Sequence, residues 1–269
     1  MRAASGHCHV EEVWGTKVTI DMRDWDLPGG HHAAVVAAVQ WMHWVDRTFS
    51  LYRSDSVLSR LARREIGLAE CPAAVGDVLA LARQCRELTG GAFDPRWPGD
   101  GTIDPTGLVK GWAAQAASAI LAAHGSRHHS VNAAGDVWVQ GQARPNQDWG
   151  VGVAHPLRPG YLVAVIAGRH RAVATSGVAE RGDHVIDPRT GCPATAVASV
   201  TVVGPDLAHA DAFATAGVAL GEDATGLLEC LDGDGWPSLV VFADGRLWSS
   251  AHFEGQVVAA GLVPDAAPL

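Results

Sequence analysis

Cysteine is scarce and unpatterned in this chain: Cys8, Cys71, Cys85, Cys192 and Cys230 are odd in number and show no CxxC spacing. That excludes a disulfide framework and a thiolate zinc site. Long apolar runs are missing too. No segment approaches membrane-spanning length, and MRAASGHCHVEEVWG at the start lacks the apolar stretch of a secretion signal, so a cytoplasmic protein without stable membrane insertion is expected. Positive charge is in deficit, with a formal net charge of −9 and no basic patch beyond Arg60, Arg63 and Arg64, which read as a solvated helix face. Nucleic acid and anionic membrane are therefore poor partners. Repeats, low-complexity stretches and linkers are absent as well. The reading is a single domain over residues 1–269, with 1–9 as a frayed tail.

What is present is a compact globule: 48% hydrophobic and 18% charged residues over a length that can bury a large core. Glu12 to Met22 alternates as a first strand kinked at Gly15-Thr16. His31 to Phe49, a segment after Ser54-Asp55, and Pro72 to Leu88 have helical patterns, the last stopped by Thr89-Gly90-Gly91. After Arg127 the texture turns to strands, at Ser130–Val139 with a turn at 132–136, Trp149–Ala154, Tyr161–Ala167 and several segments beyond Trp236. This is an α+β pattern: a mixed, mostly antiparallel sheet packed with helices.

Four segments carry chemistry. Ala174 to Pro193, ATSGVAERGDHVIDPRTGCP, opens on a Thr-Ser-Gly turn and closes on Asp-Pro-Arg-Thr-Gly, with Glu180, Arg181, Asp183, His184, Asp187 and Arg189 between. A second segment pairs Asp94-Pro95 with Asp104-Pro105. It then feeds Thr106-Gly107-Leu108-Val109-Lys110-Gly111 into an Ala-rich helix, whose N-terminal dipole and Lys110 suit a phosphate, although the spacing is not that of a P-loop. Asn132 and Asp136 are either plain turn residues or groups for a base or ribose. Asp211 and Thr215 are four apart, so on a helix they share one face; they read either as a cap with a helix-lining threonine or as a carboxylate and hydroxyl for one hard cation.

In this order the four segments resemble the ApbE family of FAD:protein FMN transferases. The matching pieces are Thr89-Gly90-Gly91-Ala92-Phe93-Asp94-Pro95, then Asp104 to Gly111, then Val131-Asn132-Ala133-Ala134-Gly135-Asp136. Ala174-Thr175-Ser176-Gly177, His184-Val185-Ile186-Asp187-Pro188-Arg189-Thr190-Gly191 and Ala210-Asp211-Ala212-Phe213-Ala214-Thr215 complete the set, with Gly15-Thr16 and Phe49-Ser50 also at family positions. The chain departs from the family pattern at Pro105-Thr106 and at Ala134, where a glycine is usual.

The resemblance implies a FAD cleft between the sheet and helix N-termini, and a Mg²⁺-dependent enzyme that attaches FMN through a phosphoester bond to a threonine of an acceptor flavoprotein, releasing AMP. It implies Asp211, Thr215 and the Val109 carbonyl as metal ligands, and His184, Asp187 and Lys110 as catalytic groups. Phe93, Asp94, Asp104, Thr106, Gly107, Lys110, Asn132, Gly135, Asp136, Thr175, Ser176, Gly177 and His184 would hold FAD. The alternatives on the same site are a FAD pyrophosphatase yielding FMN and AMP, and a non-catalytic FAD-binding protein.

Overall fold

A computed structural model describes residues 6–24, 27, 30–97, 102–177 and 185–264. The chain opens with a hairpin, β1 (His7–Val13) and β2 (Thr16–Met22), closed on Val13↔Thr16. The expected single strand is therefore two. Trp14 and Gly15 both take positive φ, 59° and 70°, the conformation of a two-residue hairpin turn, and tryptophan is not a residue that announces one. His7, Cys8 and His9 are rungs of β1 against Met22, Asp21 and Ile20, which corrects the expectation of a tail reaching residue 9.

Helix α1 (His31–Phe49) follows, burying Ala34, Ala38, Met42, Val45 and Phe49 along one stripe. Helix α2 (Val57–Ala62) is capped by Ser56, whose side chain accepts from Ser59 N at 3.0 Å, so the cap falls after Ser54-Asp55. Helix α3 (Ala73–Leu88) ends at Thr89, and α4 (Thr106–Ala123) starts four residues before Lys110. Thr106 to Gly111 is thus helix rather than a loop feeding one.

The strands β3 (His129–Ala133), β4 (Asp136–Gln140), β5 (Trp149–Ala154), β6 (Tyr161–Gly168) and β7 (His170–Gly177) come next. A short ladder, β8 (Ile186–Asp187) with β9 (Cys192–Pro193), precedes β10 (Val197–Gly204). Helices α5 (Leu207–Leu220) and α6 (Ala224–Gly233) and strands β11 (Ser238–Phe242), β12 (Leu247–Ser249) and β13 (Val257–Pro264) finish the chain.

Among the described residues an antiparallel eight-stranded sheet runs β1-β2-β3-β4-β7-β10-β11-β12, and β13-β6-β5 form a second sheet. Side-chain alternation divides the layers. Ile20, Val131, Ala172, Ala174, Val200 and Val202 face the helices. Val137, Val139, Val173 and Val203 face Trp149, Val151, Val163 and Ile166 of the small sheet. Every position of β10 is buried, as befits a strand covered on both faces. A third cluster, with Phe49, Leu58, Val78, Cys85, Phe93 and Leu108, ties α1, α2 and α3 to α4 and α5.

Helix α5, LAHADAFATAGVAL, is buried almost all round and alanine-rich, so its neighbours approach closely. At Gly111 of α4 an added Cβ would lie 2.4 Å from the Leu207 carbonyl oxygen, so only glycine allows this crossing. That contact brings the start of α4 against α5.

Candidate active site

A cleft of about 620 Å³ opens where α4, α5 and the end of β7 converge, within the usual range of ligand pockets. Phe93, Asp94, Asp104, Thr106, Gly107, Val109, Lys110, Thr175, Ser176, Gly177, Asp211 and Thr215 line it. Three of the four chemistry-bearing segments thus meet at this cleft, the 132–136 turn being the exception. Register explains part of this: β7 pairs with β10 up to Gly177↔Ser199, which sets Thr175 and Ser176 beside α5.

Asp211 is 1% exposed, and its Oδ2 accepts the backbone N–H of Gly111 at 3.1 Å. Thr215, one turn further along α5, has Oγ1 at 3.1 Å from Ser176 Oγ. At Gly107 an added Cβ would stand 3.1 Å from Phe93 and 3.2 Å from Thr215, so the first turn of α4 lies hard against both. A buried carboxylate and two hydroxyls form an all-oxygen set, which suits a hard cation whose shell is completed by phosphate oxygens and carbonyls. No group of three His, Cys, Asp or Glu side chains among the described residues could hold a metal by itself. The expected third ligand, Val109, lines the cleft, but its carbonyl belongs to the helical ladder of α4 and not to a loop. Such a carbonyl has a second lone pair to offer.

The described lining holds the carboxylates of Asp46, Asp94, Asp104 and Asp211 and one basic side chain, Lys110. Asp94 is neutralised by Arg86 at 2.9 Å. Asp104 Oδ1 accepts both Thr106 N, at 2.9 Å, and Thr106 Oγ1, at 2.5 Å. Leu108 N donates to the Pro105 carbonyl at 3.1 Å, so the first turn of α4 is partly capped and is not an open phosphate cradle.

Three expected ligand residues stand elsewhere. Asn132, Gly135 and Asp136 do not line the cleft. Asn132 Oδ1 accepts Gly135 N at 3.0 Å and closes the β3–β4 turn, in which Ala134 holds φ 53°, a conformation glycine takes more readily. Asp136 is fully buried, and its Oδ2 accepts a short hydrogen bond from Lys110 Nζ. Burial pushes its carboxyl up, against the pull of the Lys110 ammonium. Asp187 is also buried, while its neighbours Val185, Ile186 and Pro188 reach the cleft. Arg189 grips it through Nη2 at 2.9 Å and Nε at 3.0 Å and holds its carboxyl below the usual range. His184 lies outside the described residues.

Of the aromatic and apolar wall only Phe93 was named as a ligand residue from the sequence; Tyr52, which is 90% exposed, lines the cleft beside Leu51. Trp14, Phe49 and Trp97 complete it. The only signals had been the Gly15-Thr16 and Phe49-Ser50 motifs, which border it.

A sequence model of the ApbE family matches residues 14–98 and 98–234. The chain belongs to the ApbE family. It is 33% identical over 174 residues to the FAD:protein FMN transferase of Treponema pallidum, covering 58% of this chain and 48% of that one. It is 37% identical over 130 residues to that of Rhodobacter capsulatus, covering 45% of this chain and 24% of the other. The chain thus spans about half the length of the first relative and about a quarter of the second. The ApbE protein of Thermotoga maritima superposes with a TM-score of 0.84 at 24% identity, over 94% of this chain and 99% of that one. The flavin transferase ApbE of Vibrio cholerae gives 0.80 at 21%, over 94% and 100%. The structural match covers 94% of the chain, more than the residues 14–234 that the family model spans. No helix among the described residues is long and apolar enough to cross a membrane.

Proposed function

We propose that this ApbE-family chain is a Mg²⁺-dependent FAD:protein FMN transferase, which moves FMN from FAD to a threonine hydroxyl of an acceptor flavoprotein and releases AMP. The observation that carries the reading is the oxygen cluster of Asp211, Thr215 and Ser176 beside Lys110 in a cleft otherwise rich in carboxylates. A dinucleotide pyrophosphate would be repelled there unless a divalent cation came with it. Asp211, Thr215 and the Val109 carbonyl would hold Mg²⁺, which supplies charge neutralisation for the phosphoryl oxygens.

The chain's own side chains do the rest. Lys110 presents an ammonium to the pyrophosphate, Trp14, Phe49 and Trp97 offer an apolar wall to the planar ring, and the ion pair of buried Asp187 with exposed Arg189 fixes the turn that follows His184. His184 is assigned to the reacting phosphate, as base for the threonine hydroxyl. The cytoplasmic setting and the single-domain layout are carried by the sequence reading alone.

Intact-mass spectrometry of an acceptor flavoprotein domain incubated with the chain, FAD and Mg²⁺ tests this, with AMP followed in the same tube. A gain of one FMN residue, lost with chelator or when the acceptor threonine is replaced, is the expected result. Steady AMP and free FMN without a gain would turn the reading to a pyrophosphatase, and FAD binding without AMP to a flavin carrier.

A further inference from the structure

Lys110 lines the cleft, yet part of what places it lies behind the cleft wall. The Ala134–Gly135 turn, with φ of 53° and 95°, folds β4 back on β3 and delivers Asp136 at the first rung. That carboxylate is 0% exposed and reaches the Lys110 ammonium from the side away from the cleft. The adjoining rung, Val137↔Val173, locks Asp136 to β7 two residues before Thr175, which lines the cleft.

An ion pair whose carboxylate is buried this deeply is no efficient source of stability. Desolvating the carboxylate costs several kcal/mol, and an apolar pair of the same volume commonly does as well or better. What the pair provides and an apolar pair does not is a fixed location for a positive charge. Lysine carries a flexible four-carbon stem, and a buried partner selects one of its many rotamers.

Resting on the flavin-transfer reading, we propose that Asp136 is a positioning residue: it fixes the Lys110 ammonium at the cleft wall for the pyrophosphate of FAD, while its own charge weakens ground-state attraction for that anion. The two effects act in opposite directions on binding and turnover. Replacing the carboxylate by its neutral isostere removes the negative charge beside the lysine, so the ammonium attracts the anion more strongly but loses the charged partner that helps to fix it. A misplacement of about 1 Å can cost on the order of 10²-fold in rate, while one unit of negative charge removed nearby strengthens anion binding on the order of tenfold.

The test measures FAD affinity by titration and AMP release with Mg²⁺ for wild type, D136N, K110Q and K110Q/D136N. Tighter FAD binding by D136N, about tenfold, with kcat reduced ten- to a hundredfold, is expected. In the K110Q background, adding D136N is expected to change kcat less than about twofold, because the residue acts through the lysine. A D136N chain that loses affinity and turnover together, or that matches wild type in both, overturns the proposal. So does a full additional loss of kcat in K110Q/D136N, which also serves as the charge-balanced variant if D136N alone does not fold. A wild-type chain that binds no FAD would instead remove the flavin reading and this proposal with it. Wild-type binding without AMP leaves the affinity comparison to decide.

Discussion

Two clusters of polar side chains hang from the two ends of α4, and their surroundings tell them apart. At the C-terminal end, His129 Nε2 and Ser118 Oγ are 2.7 Å apart, His129 Nδ1 and Ser126 Oγ 2.8 Å, and Ser126 donates to Asp24 Oδ2 at 2.5 Å. All four side chains are buried and none lines the cleft. At the N-terminal end stand Lys110, Asp136, Asp211, Thr215 and Ser176, and there the network opens onto about 620 Å³ of space. The inventories are alike: acids, hydroxyls and one basic group. The closed cluster satisfies its polarity internally and makes structure, whereas the open one leaves oxygen atoms facing a ligand. A buried serine–histidine–aspartate chain is therefore no sign of chemistry here; a polar cluster with one open wall is.

The largest effect that would break this comparison lies at Asp211. Asp211→Ala is expected to lower Mg²⁺-dependent AMP release about 10³-fold, equivalent to about 4 kcal/mol of transition-state stabilisation. The folding loss should be smaller, about 1–3 kcal/mol for the lost hydrogen bond from Gly111 N–H to the carboxylate. A variant that keeps wild-type turnover across a Mg²⁺ titration would take Asp211 out of the metal site. The closed cluster should answer to pH instead. Burial lowers the His129 pKa from 6.5 to about 4. The unfolded chain then binds the proton first, so this contribution to stability is full above pH 6.5 and falls by about 3 kcal/mol between pH 6.5 and 4. Urea midpoints at pH 7 and 5 should show a flatter dependence for His129→Gln, with FAD affinity at pH 7 unchanged. An identical slope in the variant would mean that the imidazole is not the titrating group.

How much of this was legible in the sequence follows the same division. The end of α3 and the β3–β4 turn were announced by Gly90-Gly91 and Gly135, because glycine marks positive φ where few other residues go. The Trp14–Gly15 turn was half announced: alternation ran through it unbroken, and its first residue is bulky. The pairing of β13 with β6, in a sheet apart from the main one, leaves no local trace, since exposed strands at either place alternate alike. At the site, motif residues on α4, α5 and β7 were readable as chemistry. Which way each pointed was not. Asp136 read either as a turn residue or, by the family resemblance, as a ligand group, and only the packing of β4 against α4 shows it turned inward to Lys110.

Smaller changes sharpen the division. Gly111→Ala forces a Cβ to within 2.4 Å of the Leu207 oxygen and 3.0 Å of Asp211 Cβ. Parting the helices should cost about 2 kcal/mol. Both readouts should suffer, since the same glycine supplies the N–H that holds Asp211; a loss of melting temperature without loss of turnover would detach the crossing from the site.

Ser176→Ala should do least. It removes one hydroxyl at 3.1 Å from Thr215, worth about 1 kcal/mol, or roughly fivefold in kcat. If Ser176 belongs to the open cluster, the loss appears in turnover and in the Mg²⁺ concentration for half-maximal rate, while the urea midpoint barely moves. If it belongs to a closed one, the order reverses, because the orphaned Thr215 hydroxyl is then felt only in folding. A single serine thus separates the two kinds of cluster by which measurement responds, at a position where the expected energy is too small for either to fail outright.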